Sequence, residues 1–233
     1  METIYEKITA DNKKNDEIIA KAVDIIKNGG LVAFPTETVY GLGGNALNPE
    51  SSKKIYQAKG RPSDNPLIVH IGNIGQIDGI AEEFPEKAKA LAAKFWPGPL
   101  TMIVWKNEKV PYETTGGMDT VAIRMPNHPV ALALIDESGC MIAAPSANTS
   151  GKPSPTEAGH VALDLDGKIP MILDGGPVGI GIESTIIDLT GKTTKDSETD
   201  QFSDQDDFFG NGTQQNSNNS GDGGADSSAS DSQ

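Results

Sequence analysis

Two arginines, Arg61 and Arg124, stand out in a chain that otherwise draws its positive charge from 17 lysines. A guanidinium offers a planar fork of donors that grips carboxylate or phosphate in two-pronged fashion, which a lysine ammonium does not reproduce. Arg61 lies in Lys59-Gly60-Arg61-Pro62-Ser63-Asp64-Asn65-Pro66, a turn-rich stretch that sets two cations on one loop. Arg124 ends a β-rich segment just ahead of Met125-Pro126. Most such charges form solvated surface pairs, but a loop position beside a strand end points to an anion. The stretch Ala143-Ala144-Pro145-Ser146-Ala147-Asn148-Thr149-Ser150-Gly151-Lys152-Pro153-Ser154 adds hydroxyls and amides. If it opens a capped helix, its free backbone N–H groups form an anion cradle. Segments of this composition are more often plain turns, so the cradle needs support from elsewhere.

Two glycine-rich stretches complete the set. Pro35-Thr36-Glu37-Thr38-Val39-Tyr40-Gly41-Leu42-Gly43-Gly44 reads as a loop whose glycines admit a ligand close to the backbone. It lacks the Gly-Lys-Ser/Thr ending of a Walker loop and the spacing of the dinucleotide fingerprint. Gly175-Gly176-Pro177-Val178-Gly179-Ile180-Gly181-Ile182-Glu183-Ser184-Thr185 enters a later strand, with Ser184 able to face the same cleft. The three histidines, His70, His128 and His160, have no metal-ligand spacing, and no Gly-x-Ser-x-Gly elbow is present. His70 falls in a strand beside the Lys59/Arg61 loop, whereas His128 and His160 read as helix-start and helix-surface residues. Cations, hydroxyls and glycine backbone without a covalent nucleophile or a metal cage fit a site that binds a polyanion and aligns a reactant. Electrostatics and positioning then carry the catalysis.

The elements that must position these residues alternate along the chain. Strands are expected at 4–8, 31–34, 67–71, 101–105, 120–124, 141–144, 171–173 and 185–189. Several are apolar throughout, as in a sheet covered on both faces. Ile18, Ile19, Ala22, Val23 and Ile26 repeat at helical spacing and stop at Asn28-Gly29-Gly30. Asn48-Pro49 and Ser154-Pro155 read as capped helix starts, Glu157 completing a capping box with Ser154, and 85–95 and 129–136 supply further helices. The expected fold is α/β: a twisted, open mixed sheet with helices packed around it.

At 233 residues the chain is long enough for a substantial core without disulfides or structural metal. The single cysteine, Cys140, excludes a disulfide framework, fits a reducing compartment and reads as a small buried apolar residue. A polar N-terminus and the lack of about eighteen consecutive apolar residues argue against secretion and membrane insertion. The net charge of −14 is uneven: residues 1–190 hold 17 basic and 24 acidic side chains and 191–233 hold 2 and 9, so each part carries −7. Neither part has the positive field of a non-specific nucleic-acid binder. From about Lys192 the sequence turns to Ser, Asp, Asn, Gln and Gly, too poor in apolar groups to offset ordering entropy. It is expected to form a disordered acidic tail in which Phe202, Phe208 and Phe209 are the bulky apolar groups.

Read together, the loops resemble the threonylcarbamoyl-AMP synthase, or YrdC-like, family. The resemblance rests on Phe34-Pro35-Thr36-Glu37-Thr38-Val39-Tyr40-Gly41-Leu42, Lys59-Gly60-Arg61-Pro62 through Asn65-Pro66-Leu67, Trp96-Pro97-Gly98-Pro99-Leu100-Thr101, Ala144-Pro145-Ser146-Ala147-Asn148 and Glu183-Ser184-Thr185-Ile186-Ile187-Asp188. It implies a YrdC-like catalytic domain over residues 1–190, with the tail at 191–233. It further implies a cytoplasmic nucleotidyltransferase that converts L-threonine, bicarbonate and ATP into threonylcarbamoyl-AMP and pyrophosphate. The product would pass to a tRNA threonylcarbamoyltransferase machinery, with direct tRNA contact left open. Carried over by position, Lys59, Arg61, Ser146 and Asn148 match the family's catalytic signature. Arg61, Asn65, Thr120, Ser146 and Ser154 would contact ATP. Thr38, His70, Arg124 and Ser184 would hold threonine, Arg124 taking its carboxylate. Mg2+ would arrive with ATP and is assigned no protein ligand. The sequence departs from the family in one respect: where members continue into an Arg-Pro-Gly turn whose arginine reaches the nucleotide, no arginine follows Arg124. Two other functions compete, an RNA-binding module without catalysis and a carbamoyladenylate-forming relative that uses carbamoyl phosphate.

Overall fold

The computed structural model describes residues 2–191; the acidic tail expected from Lys192 onward, with its three phenylalanines, lies outside them. In chain order the elements are β1 (Ile4–Lys7), α1 (Asn12–Lys27), β2 (Val32–Pro35), β3 (Tyr40–Asn45), α2 (Pro49–Lys59), β4 (Ile68–His70), α3 (Glu86–Phe95), β5 (Leu100–Trp105), α4 (Tyr112–Thr115), β6 (Thr120–Arg124), α5 (Pro129–Ser138), β7 (Ile142–Ala143), α6 (Ala158–Leu165), β8 (Met171–Asp174) and β9 (Thr185–Asp188). A 3₁₀ turn at Ile74–Gly79 follows β4. The strands form one open sheet in the order β1-β8-β2-β3-β7-β4-β6-β5-β9. It is mixed: β8 runs parallel to β1 and β2, β6 to β4 and β9 to β5, while β3, β7 and the β5/β6 pair are antiparallel.

The apolar stripe expected on α1 is buried at Ile18, Ile19, Ala22, Val23 and Ile26. It packs with Val130, Leu134 and Ile135 of α5 over Val32, Phe34, Ile142 and Met171 of the sheet. The opposite sheet face, with Ala33, Leu42, Val69, Met102 and Ile123, belongs to the larger core that also takes in α2, α3 and α6. Because side chains alternate along a strand, the face covered by α1 and α5 is continued on β4, β6 and β5 by even residues of β4 and β6 and odd residues of β5.

Four expectations need correction. The glycine-rich stretch after β2 is not an open loop, since 40–45 forms β3, antiparallel to β2. A Cβ on Gly43 would come within 2.6 Å of both Ile142 Cγ2 and Phe34 Cε1, so glycine here makes room for neighbouring side chains rather than for a ligand. The helix expected from Pro155 begins at Ala158, behind Glu157, with no side-chain cap bond. The Ser154 hydroxyl instead donates to Glu183 Oε1 at 2.7 Å, which removes the proposed capping box. Cys140 is half-buried rather than buried, and α4 and the 3₁₀ turn were too short to give a periodic signal. As expected, His128 precedes α5 and accepts from the Val130 N–H through Nδ1, while His160 is exposed on α6. No described helix is long and apolar enough to cross a membrane.

Candidate active site

Strand register builds the first half of the site. Thr101 pairs with Arg124 across β5/β6, and Arg124 pairs with His70 across β6/β4. The three polar side chains therefore form one row on one sheet face, all buried. Arg124 Nη2 donates to Thr38 Oγ1 at 3.0 Å and lies 2.7 Å from Glu37 Oε1, and Nε faces the Gly98 carbonyl at 3.4 Å. The tight turn between β2 and β3 supplies Thr38, whose Oγ1 also lies 2.9 Å from Thr36 Oγ1. His70 Nδ1 is 3.2 Å from the Ile68 carbonyl, which can only accept, so Nδ1 carries the proton. Burial, helped by the Arg124 charge, pushes the His70 imidazole down to about 3, leaving it neutral beside the arginine. Thr101 Oγ1 and Ser184 Oγ share a hydrogen bond of 2.7 Å, which ties the 175–184 segment to this row.

The second half starts at the C-terminus of α2. Gly60 caps the helix in the left-handed region (φ 60°), and the Arg61 N–H closes back on the Tyr56 carbonyl at 3.0 Å. Glycine makes that reversal cheap, so Lys59 and Arg61 end within electrostatic range of each other. Lys59 is 1% exposed, and its Nζ donates to the Ser146 and Asn148 carbonyls at 2.5 and 2.6 Å, with Asn148 Oδ1 at 3.3 Å. Burial, aided by the Arg61 charge, lowers the Lys59 ammonium to about 7, against the pull of Glu183 and Asp164. Burial also lowers the Arg61 guanidinium, opposed by Tyr56 and Glu183. Arg61 Nη2 reaches the Pro66 carbonyl at 3.4 Å. Next to Pro66, Asn65 keeps its side-chain oxygen buried without a hydrogen bond.

Glu183 and Ser184 join the halves. Glu183 acts on both Lys59 and Arg61 and accepts from Ser154, while the next residue bonds to Thr101 in the Arg124 row. The structure thus brings together Lys59, Arg61, Ser146, Asn148 and Ser154 on one side and Thr38, His70, Arg124 and Ser184 on the other. Thr120 stands apart from both groups. It shares the face of Arg124 but lies four residues away on β6, about 13 Å at the usual strand rise. By register it is opposite Trp105 and, extending the parallel β4/β6 pairing, beside Pro66.

The anion-cradle reading of 143–154 is corrected. The N–H groups of Ala147, Thr149, Ser150 and Lys152 are engaged by the Tyr40 carbonyl, Asp164, the Lys59 carbonyl and the Thr149 carbonyl. No helix starts directly behind them. The segment is a loop clamped by Lys59, and what it offers a ligand is its hydroxyls and the cations beside it. Sequence reasoning gave no role to Glu37, Glu183 or Thr101. A carboxylate between two threonines inside the apolar run Phe34-Pro35…Val39-Tyr40 was the available signal for Glu37.

The Sua5/YciO/YrdC family profile, described as "Telomere recombination", matches residues 24–196. A threonylcarbamoyl-AMP synthase of Bacillus subtilis is 60% identical over 184 residues, which are 78% of this chain and 53% of that protein. One of Pyrococcus abyssi is 61% identical over 169 residues, 72% of this chain and 50% of the other. The crystal structure of P. abyssi Sua5 complexed with L-threonine has a TM-score of 0.77 at 55% identity, covering 83% of this chain and 56% of that one. The chain spans about half the length of the curated relatives it matches. The profile covers the strands, turns and loops that carry both halves of the site, and the chain belongs to the Sua5/YciO/YrdC family.

Proposed function

We propose that the chain forms L-threonylcarbamoyladenylate from L-threonine, bicarbonate and ATP. One observation carries the reading: a buried guanidinium that donates to the Thr38 hydroxyl and pairs in register with Thr101 is joined through Glu183-Ser184 to a neighbouring lysine and arginine. The first half suits an amino acid carboxylate and the second a triphosphate. The naming of two close relatives as threonylcarbamoyl-AMP synthases and the threonine complex of a structural neighbour support it. In this reading Arg124 takes the carboxylate of threonine, with Thr38, His70 and Ser184 around the rest of the molecule. His70, neutral and held by the Ile68 carbonyl, lines the pocket beside the threonine side chain.

The threonine ammonium first loses a proton to solvent, and the free amine condenses with bicarbonate to a carbamate, releasing water. A carbamate oxygen then attacks the α-phosphorus, and the bond from that phosphorus to the bridging oxygen of pyrophosphate breaks. Lys59 and Arg61 neutralise charge that grows on the phosphates, and Ser146 and Asn148 hold Lys59 and line the nucleotide. Asn65, with its unpartnered side-chain oxygen, and Thr120, on the same face as Arg124, accept the nucleoside end; Ser154 closes the opposite side beside Glu183. Mg2+ is proposed to enter on the phosphates, which with water supply its ligands. Among the described residues no group of three or more His, Cys, Asp and Glu is placed to hold an ion. The product is a mixed anhydride, to be consumed by a tRNA threonylcarbamoyltransferase machinery in the cytoplasm.

Pyrophosphate release from ATP, with each small reactant omitted in turn, tests the reading. Release that requires both threonine and bicarbonate supports it. Turnover on carbamoyl phosphate alone transfers the activity to carbamoyladenylate formation, and RNA binding without any turnover overturns it. Lys59 adds a pH signature. In the free protein its proton leaves near 7, so kcat/KM for ATP is expected to fall above about pH 7. Bound triphosphate favours the ammonium, so the corresponding limb in kcat moves to higher pH. Coincident limbs in the two profiles would show that Lys59 does not face the phosphates.

A further inference from the structure

The mechanism leaves one buried charge unused. Both carboxylate oxygens of Glu37 are shielded from solvent, yet neither accepts a directed hydrogen bond. Oε1 sits 2.7 Å from Arg124 Nη2 as an ion pair off hydrogen-bond angle, and Oε2 is left over. A buried carboxylate with spare acceptor capacity is costly unless something else occupies it. Arg124 has the matching surplus, since its contacts to Thr38, Glu37 and Gly98 use Nη2 and Nε while Nη1 takes part in none of them.

We infer that Glu37 is the acceptor for the substrate's ammonium group, so that Glu37 and Arg124 form a preset pair of opposite charges complementary to an amino acid zwitterion. This rests on the amino acid half of the proposed function and adds its selection rule. The zwitterion's carboxylate meets the guanidinium and its ammonium meets the carboxylate, so four charges sum to zero in a place where a net charge is expensive. A simple carboxylic acid of the same shape brings one negative charge to a site that already holds Glu37. Such a ligand is therefore repelled even though Arg124 could bind it, a case of selection by an unpaired charge. The same carboxylate acts on His128 only electrostatically, so Arg124 is its partner until the ligand arrives.

Calorimetric titration of the protein with L-threonine and with 3-hydroxybutyrate, which keeps the carboxylate and hydroxyl but lacks the amine, tests this. The wild type is expected to bind threonine at least tenfold more tightly than the amine-free analogue. Glu37→Gln should weaken threonine about ten- to hundredfold, as loss of a hydrogen bond to a charged group does, and leave the analogue equal or better. Glu37→Asp, which keeps the charge on a shorter arm, should recover part of the preference. Thermal melting identifies variants that are unfolded. Equal weakening of both ligands by Glu37→Gln would make Glu37 only a positioning residue for Arg124 and overturn the inference. So would a wild type that does not discriminate between the two ligands. These titrations need no turnover, so a zwitterion preference without threonine-dependent pyrophosphate release would sink the synthase reading and leave this inference standing.

Discussion

Arg61→Ala should lower turnover by about 10²-fold or more while threonine affinity stays within a few fold, because in the proposed reaction the lost donor acts on charge that develops at the phosphates. Arg61 is held by the Gly60 reversal and by the Pro66 carbonyl, and it lies close enough to Lys59 to push that ammonium down. The variant therefore carries a second signature. With the neighbouring cation gone, the alkaline limb in kcat/KM for ATP should move upward from about pH 7. Arg61→Lys should recover little, since a point charge does not replace the planar fork. Steady-state pyrophosphate release across pH measures both effects, and unchanged kinetics in Arg61→Ala would remove this residue from the chemistry.

Arg124→Ala should remove measurable threonine binding and also unsettle the fold. Truncating one partner of a buried ion pair typically costs about 3–5 kcal/mol, because the other charge is left uncompensated. Here that charge is Glu37, already short of hydrogen bonds. Neutralising it in Arg124→Ala/Glu37→Gln should restore most of the melting temperature but none of the binding. A double variant as unstable as the single one would show that the loss comes from packing rather than from a stranded carboxylate. Calorimetric and thermal titrations of the same samples separate the two consequences.

The strand pattern and the apolar stripe of α1 were legible in the sequence because both are local periodicities. Ordered motifs also singled out Lys59, Arg61, Ser146 and Asn148, which the fold brings together. The stretch around Gly43 was misread because a glycine-rich strand and a glycine-rich loop look alike in composition. What distinguishes them is the crowding of Phe34 and Ile142 against the glycine backbone, a contact made across three strands. The helix at Ala158 was placed too early because Ser154, which looks like a cap, has its hydroxyl drawn to Glu183, 29 residues later. Glu37 and Thr101 went unassigned for the same reason: their partners, Arg124 and Ser184, are distant in sequence and become neighbours only through register. The roles proposed for Asn65 and Thr120 come from the resemblance alone, since no local signal distinguishes them from ordinary turn and strand residues.

The alternation of β6 places Thr120 and Arg124 on one face with an even number of steps between them. Removing or adding a single residue there would turn one of them to the far side of the sheet. In the proposed binding mode, where these two residues meet opposite ends of the ligand, the reach between them is thus quantised: it can change only by whole pleats, about 7 Å at a time. A ruler with such coarse divisions leaves variation in substrate length to the surrounding loops and keeps the strand itself at fixed length.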